Sequence, residues 1–334
     1  MPFSPSIHNC SVMESYATSP ELQASLVFNI FVATLAIPVL LKGMWFVATK
    51  KVFHRNTRMQ IMVHLVALLV HTVGRLALHS IDLYNYLSKW TSACEIIPNF
   101  YRCLALRACY NIGLALSSMC SIALVLERLA AYIYSDTYEN CPMSFGLLLV
   151  LLQFALASGY LGSMYFTAAF SPGNFTLYYC QTIASSAGSI WYVMCPLYSV
   201  MVALVVSRVA FEVLMKKSEH LRTSSDISLS NRYNLDQSIR SITALKLLIN
   251  LNSIVFIVLS VVTTTLHFNS EKLTPPRYIA LVETVHFLPL YSIIVSFVIH
   301  SKLESMQQAR AAQPIVPNEN PADYYFDYFR KQMQ

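Results

Sequence analysis

The sequence predicts an all-α membrane protein, a bundle of seven transmembrane helices with the N-terminus outside and the C-terminus cytoplasmic. Three observations carry this. Of 334 residues, 55% are hydrophobic and only 12% charged, and mean hydropathy is +0.50; soluble domains run at about 25% charged. The apolar residues fall into seven long runs, most of them without the polar face a surface helix needs. Lys and Arg gather in alternate connections, as the positive-inside bias requires of a chain crossing seven times.

Residues 1–21 form an extracellular segment without Lys or Arg, with Cys10 and a glycosylation acceptor at Asn9-Cys10-Ser11. No basic start or apolar core marks a cleavable signal, so the first span is expected to target the chain. That span covers about 22–49, with Pro38 as a tolerated kink. Lys50, Lys51, Arg55 and Arg58 follow, then a second span over about 59–79 and a polar stretch with Asp82 and Cys94. The third span, about 104–127, is the axis of the reading. Cys103 to Arg128 is roughly 37 Å of helix at 1.5 Å per residue, enough to cross a hydrocarbon core of about 30 Å. Cys103 then stands at one interface and the Glu127-Arg128 pair at the other, where helices can clasp or release the guanidinium.

The fourth span runs over about 145–168, with Ser158 and Gly162 at a spacing that permits close helix packing. The connection after it holds Cys180 and a second acceptor at Asn174-Phe175-Thr176. A fifth span covers about 189–215, and the loop after it is made basic by Lys216, Lys217, Arg222, Arg232 and Arg240. A sixth spans about 242–267 and a seventh about 278–300, with Glu283, His286 and Pro289. In the tail, 301–334, Lys302 to Arg310 reads either as a short interfacial helix or as a frayed end, and the aromatic cluster Tyr324 to Phe329 follows.

The basic loops lie on the tail's side, against Lys89, Arg102, Lys272 and Arg277 opposite. Cys10, Cys94, Cys103 and Cys180 then fall on the oxidising side, while Cys109, Cys120, Cys141 and Cys195 lie in the membrane or inside. Four cysteines allow three pairings. Cys103–Cys180 is favoured because it ties the third span to the loop after the fourth, with Cys10–Cys94 as the second bridge; one bridge or none is the alternative.

A set of short runs resembles the nematode serpentine chemoreceptors of the alpha/beta class, within the G-protein-coupled receptors. They are Phe53-His54-Arg55-Asn56-Thr57, Gly74-Arg75-Leu76, Leu78 to Leu83, Tyr101-Arg102-Cys103, Tyr110-Asn111-Ile112-Gly113-Leu114 and Leu126-Glu127-Arg128. The resemblance implies a sensory receptor in the cell membrane, in that family the plasma membrane of sensory neurons, with a heterotrimeric G protein and an unknown small-molecule or peptide ligand as partners. It departs from the wider rhodopsin-like pattern: Leu129 follows Arg128, Leu288-Pro289-Leu290-Tyr291 lacks an Asn, and the sixth span has no proline.

His71, Arg75, His79 and Asp82 share one face of the second span, since their steps are four, four and three. An intramembrane Arg is costly and faces the bundle interior, level here with Arg107 and Glu283. The ligand-pocket candidates are His71, Arg75, His79, Arg107, Tyr110, Asn111, Glu283 and His286. The competing reading is a structural ion pair of Arg75 with Asp82 or Glu283. Glu127, Arg128, Pro289 and Tyr291 are the candidate activation switch. Histidines at 64, 71, 267 and 286 form no matched ligand set, so no haem, metal or other cofactor is expected. Nor is nucleic acid a partner; beside ligand and G protein the chain meets only the lipid bilayer. With no nucleophile–base motif or phosphate loop the chain reads as no enzyme. A ligand-gated channel of seven spans is the alternative, a transporter or haem protein a weaker one. Inverted channel topology would reverse the charge bias, and paired broken helices are not evident.

Overall fold

A computed structural model describes residues 7–50, 52–135, 137–138, 141–170, 179–180, 191–223, 229–311 and 330. Among these residues all regular structure is helical, and seven helices are long and apolar enough to cross a membrane. The protein is a multi-pass membrane protein. The acceptor at Asn174 and the cluster Tyr324 to Phe329 lie outside the described residues, as does the side chain of Asn9.

In chain order the helices are α1 (Ile7–Ala17), α2 (Pro20–Thr49), α3 (Arg55–Leu87), α4 (Phe100–Ile133), α5 (Met143–Phe170), α6 (Trp191–Thr223), α7 (Leu229–Phe268), α8 (Pro275–Val285) and α9 (Leu288–Ala311). Their starts are written locally. Ser19 accepts from the Leu22 amide (3.4 Å) ahead of Pro20, and Asn99 accepts from those of Tyr101 (2.9 Å) and Arg102 (3.3 Å). Such caps satisfy amides that the first turn leaves open.

The bundle is apolar outside as well as through most of its core, and its charged and polar side chains are gathered within that core. Phe28, Phe31 and Trp45 on α2, Leu148 and Leu151 on α5, and Val202, Val206 and Val209 on α6 are exposed, which lipid accepts and water would not. α4 is the axis: 72% of its apolar window is buried, against 22% for α5, and it touches α3, α5, α6 and α7. The closest approach is to α3. A Cβ on Gly113 would stand 2.5 Å from the Ala67 carbonyl oxygen and the His71 nitrogen, so only glycine fits there.

Four features differ from the sequence reading. Residues 7–17 are helical and form a cap at the N-terminal end, where Met13 and Tyr16 pack with Leu22, Tyr86, Tyr179 and Ile279. Ser158 and Gly162 do not pack in the bundle: Ser158 is exposed, and a Cβ on Gly159 or Gly162 would meet nothing within 4 Å. The seventh span is two helices, parted at His286-Phe287. Residues 302–310 are neither a separate interfacial helix nor frayed, because α9 runs unbroken to Ala311.

The cysteines pair as Cys10–Cys94, Cα–Cα 4.7 Å, and Cys103–Cys180, Cα–Cα 5.3 Å; Cys109, Cys120, Cys141 and Cys195 are free. The first bridge holds the α1 cap to the turn Ala93–Ile96, and the second ties the N-terminal end of α4 to the segment before α6.

Candidate functional site

Two polar centres lie in the bundle, one near each end. At the N-terminal end the face of α3 that carries His71, Arg75, His79 and Asp82 is buried, Arg75 completely. A helix brings residues at such steps into line, and inward is the one direction that spares a guanidinium the hydrocarbon. α4 adds Arg107 and Tyr110, and α8 adds Glu283. Arg107 Nη2 donates to Glu283 Oε1 at 2.5 Å, and Arg75 Nη2 stands 3.6 Å from Glu283 Oε2. His79 Nε2 is 3.5 Å from the same oxygen, yet it accepts from Arg75 Nε at 3.1 Å. A ring nitrogen that accepts carries no proton, so His79 meets Glu283 in a contact and not in an ion pair.

Of the two partners offered to Arg75 by the sequence, the structure selects Glu283; Asp82 lies in no ion pair among the described residues. Arg75 does a second thing that the sequence does not disclose. Pro289 has no amide hydrogen to give Val285 O, and the Phe287 amide turns to that oxygen instead, at 2.7 Å. Glu283 O thereby loses its helical donor, and Arg75 donates to it through Nη2 and to His286 O through Nη1. Asn29 on α2 adds a donor to Glu283 O at 3.2 Å. The break in the seventh span is therefore closed by side chains of α3 and α2.

Tyr110 lies under both arginines, its ring centroid 5.2 Å from Arg107 Cζ and 5.9 Å from Arg75 Cζ, with the His71 ring 4.3 Å from its own. His71 Nδ1 is 3.1 Å from Tyr110 O. Arg107 Nε donates to Cys180 O, and its Cζ lies 5.8 Å from the Tyr179 ring, so the bridged segment sits directly on the charged centre. Asn111 points elsewhere: its amide donates to Tyr165 OH on α5 at 2.5 Å. His286 is half-buried, its Nδ1 2.7 Å from Val282 O of its own helix. Asn29 and Tyr179 carry no intramembrane charge and no motif, so nothing in the sequence marks them.

At the tail end Glu127 and Arg128 are both buried. Arg128 donates to Glu127 through Nε and Nη2, each 2.5 Å. Thr57 Oγ1 donates to Glu127 Oε1 at 2.8 Å and accepts from Arg128 Nη2 at 2.7 Å. Tyr138, in the connection after α4, donates its hydroxyl to Glu127 Oε1. Burial first, and then the Glu127 carboxylate, push that hydroxyl's pKa well above the ordinary tyrosine value, so it holds its proton and remains a donor. Thr57 lies in a run already singled out; Tyr138 had no signal, since a short polar loop gives no period to read.

Between the centres, Tyr291 OH donates to Asn252 Oδ1 at 3.2 Å and lies 3.2 Å from His64 Nε2. Asn252 in turn donates to Ser121 Oγ at 2.8 Å. The set links α3, α4, α7 and α9. Pro289 and Tyr291 thus stand at different points: Pro289 at the break, Tyr291 in this mid-bundle network. No group of three or more His, Cys, Asp or Glu suited to a metal occurs among the described residues.

Residues 7–334 match the family model described as serpentine type 7TM GPCR receptor class ab chemoreceptor. The chain is also similar to serpentine receptor class beta-16 of Caenorhabditis elegans, 22% identical over 309 residues, which cover 89% of this chain and 87% of that protein.

Proposed function

We propose that this chain, which belongs to the family of serpentine class ab chemoreceptors, is a chemosensory receptor of the plasma membrane of sensory neurons that signals through a heterotrimeric G protein. Its N-terminus faces outward, with Lys50, Lys51, Arg55, Arg58, Lys216, Lys217 and Arg222 facing the cytoplasm. The centre around Arg75, Arg107 and Glu283 receives the ligand, and the centre around Glu127 and Arg128 is the switch.

The buried lock at Arg128 carries this reading. An arginine serving only as an interfacial anchor would lie exposed at the bilayer edge. Arg128 is instead 2% exposed and held by Glu127 and Thr57. Hydrogen bonds to charged groups are worth about 1.5–3 kcal/mol each, and inverting a two-state equilibrium from 1:99 to 99:1 takes about 5.5 kcal/mol. A few such bonds are of the right size to hold a receptor off and still yield to a ligand.

The test is nucleotide exchange on a heterotrimeric G protein by the purified receptor, without ligand. Glu127→Gln should raise the exchange rate above the parent's, and adding Arg128→Gln to it should abolish that rise at equal amounts of receptor. A Glu127→Gln/Arg128→Gln receptor as active as Glu127→Gln would refute the switch.

A further inference from the structure

Around the N-terminal centre the charges do not match. Two guanidinium groups, Arg75 and Arg107, approach one carboxylate, Glu283, at 3.6 and 2.5 Å, and this group of three carries one positive charge in excess. Asp82 does not join it through an ion pair. An excess charge inside a bilayer is expensive, and natural proteins place it where something is bound. The phenolic donors beside it support that: Tyr110 OH and Tyr179 OH are buried without hydrogen-bond partners among the described residues. Their rings lie against Arg107, and a hydroxyl donor there is the type of group that serves an anion's oxygens.

Given the receptor reading, on which this step rests, we propose that the centre is a two-arginine anion site whose external ligand is an organic monocarboxylate, and that Glu283 is its built-in occupant. The ligand carboxylate takes the place of the Glu283 carboxylate between Arg75 and Arg107. A monocarboxylate reproduces the charge and the oxygens that Glu283 places between the two guanidiniums; an amine would add a like charge beside them. Glu283 is placed to withdraw, because α8 is an 11-residue half-helix parted from α9 at His286-Phe287. Arg75 grips both sides of that event: its side chain faces the carboxylate and also donates to the carbonyls of Glu283 and His286. Exchange of the carboxylate is thereby tied to the geometry of the seventh span.

Chemical rescue tests the site without any G protein. The receptor is purified in lipid nanodiscs as Glu283→Ala, with Glu283→Ser as the second variant should alanine not fold. Melting temperature is followed against sodium formate, with sodium chloride and methylammonium chloride at equal ionic strength as controls. Formate should raise the melting temperature of the variant saturably and by several degrees, with little effect on the parent, and Glu283→Ala/Arg107→Gln should not respond. Chloride as effective as formate would show an unselective anion site and overturn the carboxylate class. No response to formate, or a response to methylammonium, would overturn the anion site itself. Either result leaves the receptor reading to stand or fall on nucleotide exchange.

Discussion

Arg75 and Arg128 show what burial does to a charged residue in a bilayer. Each is enclosed, and each is held by more than one type of partner: Arg75 by carbonyls, a histidine and a carboxylate, Arg128 by a carboxylate and a threonine. Removing one partner from such a set exposes the cost that the others cannot cover; for buried ion pairs this is about 3–5 kcal/mol. Tyr138 is the cleanest probe of the tail-end set, because its hydroxyl reaches Glu127 from a connecting loop and can be removed while the ring's packing on His54 and Arg128 stays. Tyr138→Phe keeps the ring over Arg128 and deletes one donor to Glu127. It should raise ligand-independent nucleotide exchange, by about tenfold if the lost bond is worth about 1.4 kcal/mol, while leaving surface expression unchanged. Exchange at the parent rate in Tyr138→Phe would mean that the loop does not hold the switch.

Among the helices, the pair α3 and α4 sets the rest, and Gly113 sets the pair. With 2.5 Å between a Cβ there and the backbone of α3, Gly113→Ala cannot be relieved by turning a side chain. The helices must separate, carrying Arg75 away from Arg107 and Tyr110. Overpacking of this type costs about 1–3 kcal/mol; the expected result is a lower melting temperature, whereas Gly159→Ala, which faces open space on α5, should leave it unchanged. The break between α8 and α9 belongs to this scale too. Pro289 announces it, but a proline inside an apolar run marks only a missing amide. How far the helix opens depends on whether donors reach the freed carbonyls, and those donors come from α2 and α3.

For the molecule as a whole, topology and the two bridges make separable predictions. With the N-terminus outside, receptor made in eukaryotic cells should carry glycan at Asn9 or Asn174, and the tail near Tyr324 should be cut only by protease from the cytoplasmic side. A tail accessible from outside would reverse the orientation. Loss of Cys103 or Cys180 frees the segment that rests on Arg107. Native disulfides in small secreted domains are worth about 2–5 kcal/mol; in this bundle Cys180→Ser should reduce delivery to the surface, measured as the fraction of receptor labelled on intact cells. Delivery equal to the parent's would show that the bridge is dispensable.

The sequence by itself determined the seven spans, because a bilayer demands long uninterrupted apolar runs and their lengths can be read without knowing what they touch. It also marked Arg75, Arg107, Glu283, Glu127 and Arg128, since a charge in such a run is costly unless it turns inward. It did not reveal the cap formed by residues 7–17, whose polar and apolar residues follow no marked helical period and whose position is set by Cys94 and by packing on Tyr86. Nor did it show which carboxylate Arg75 meets, or that Arg75 also closes the broken seventh span beside Asn29. Those choices lie between residues about two hundred positions apart, where local pattern carries no information and the packing of α2, α3 and α8 decides.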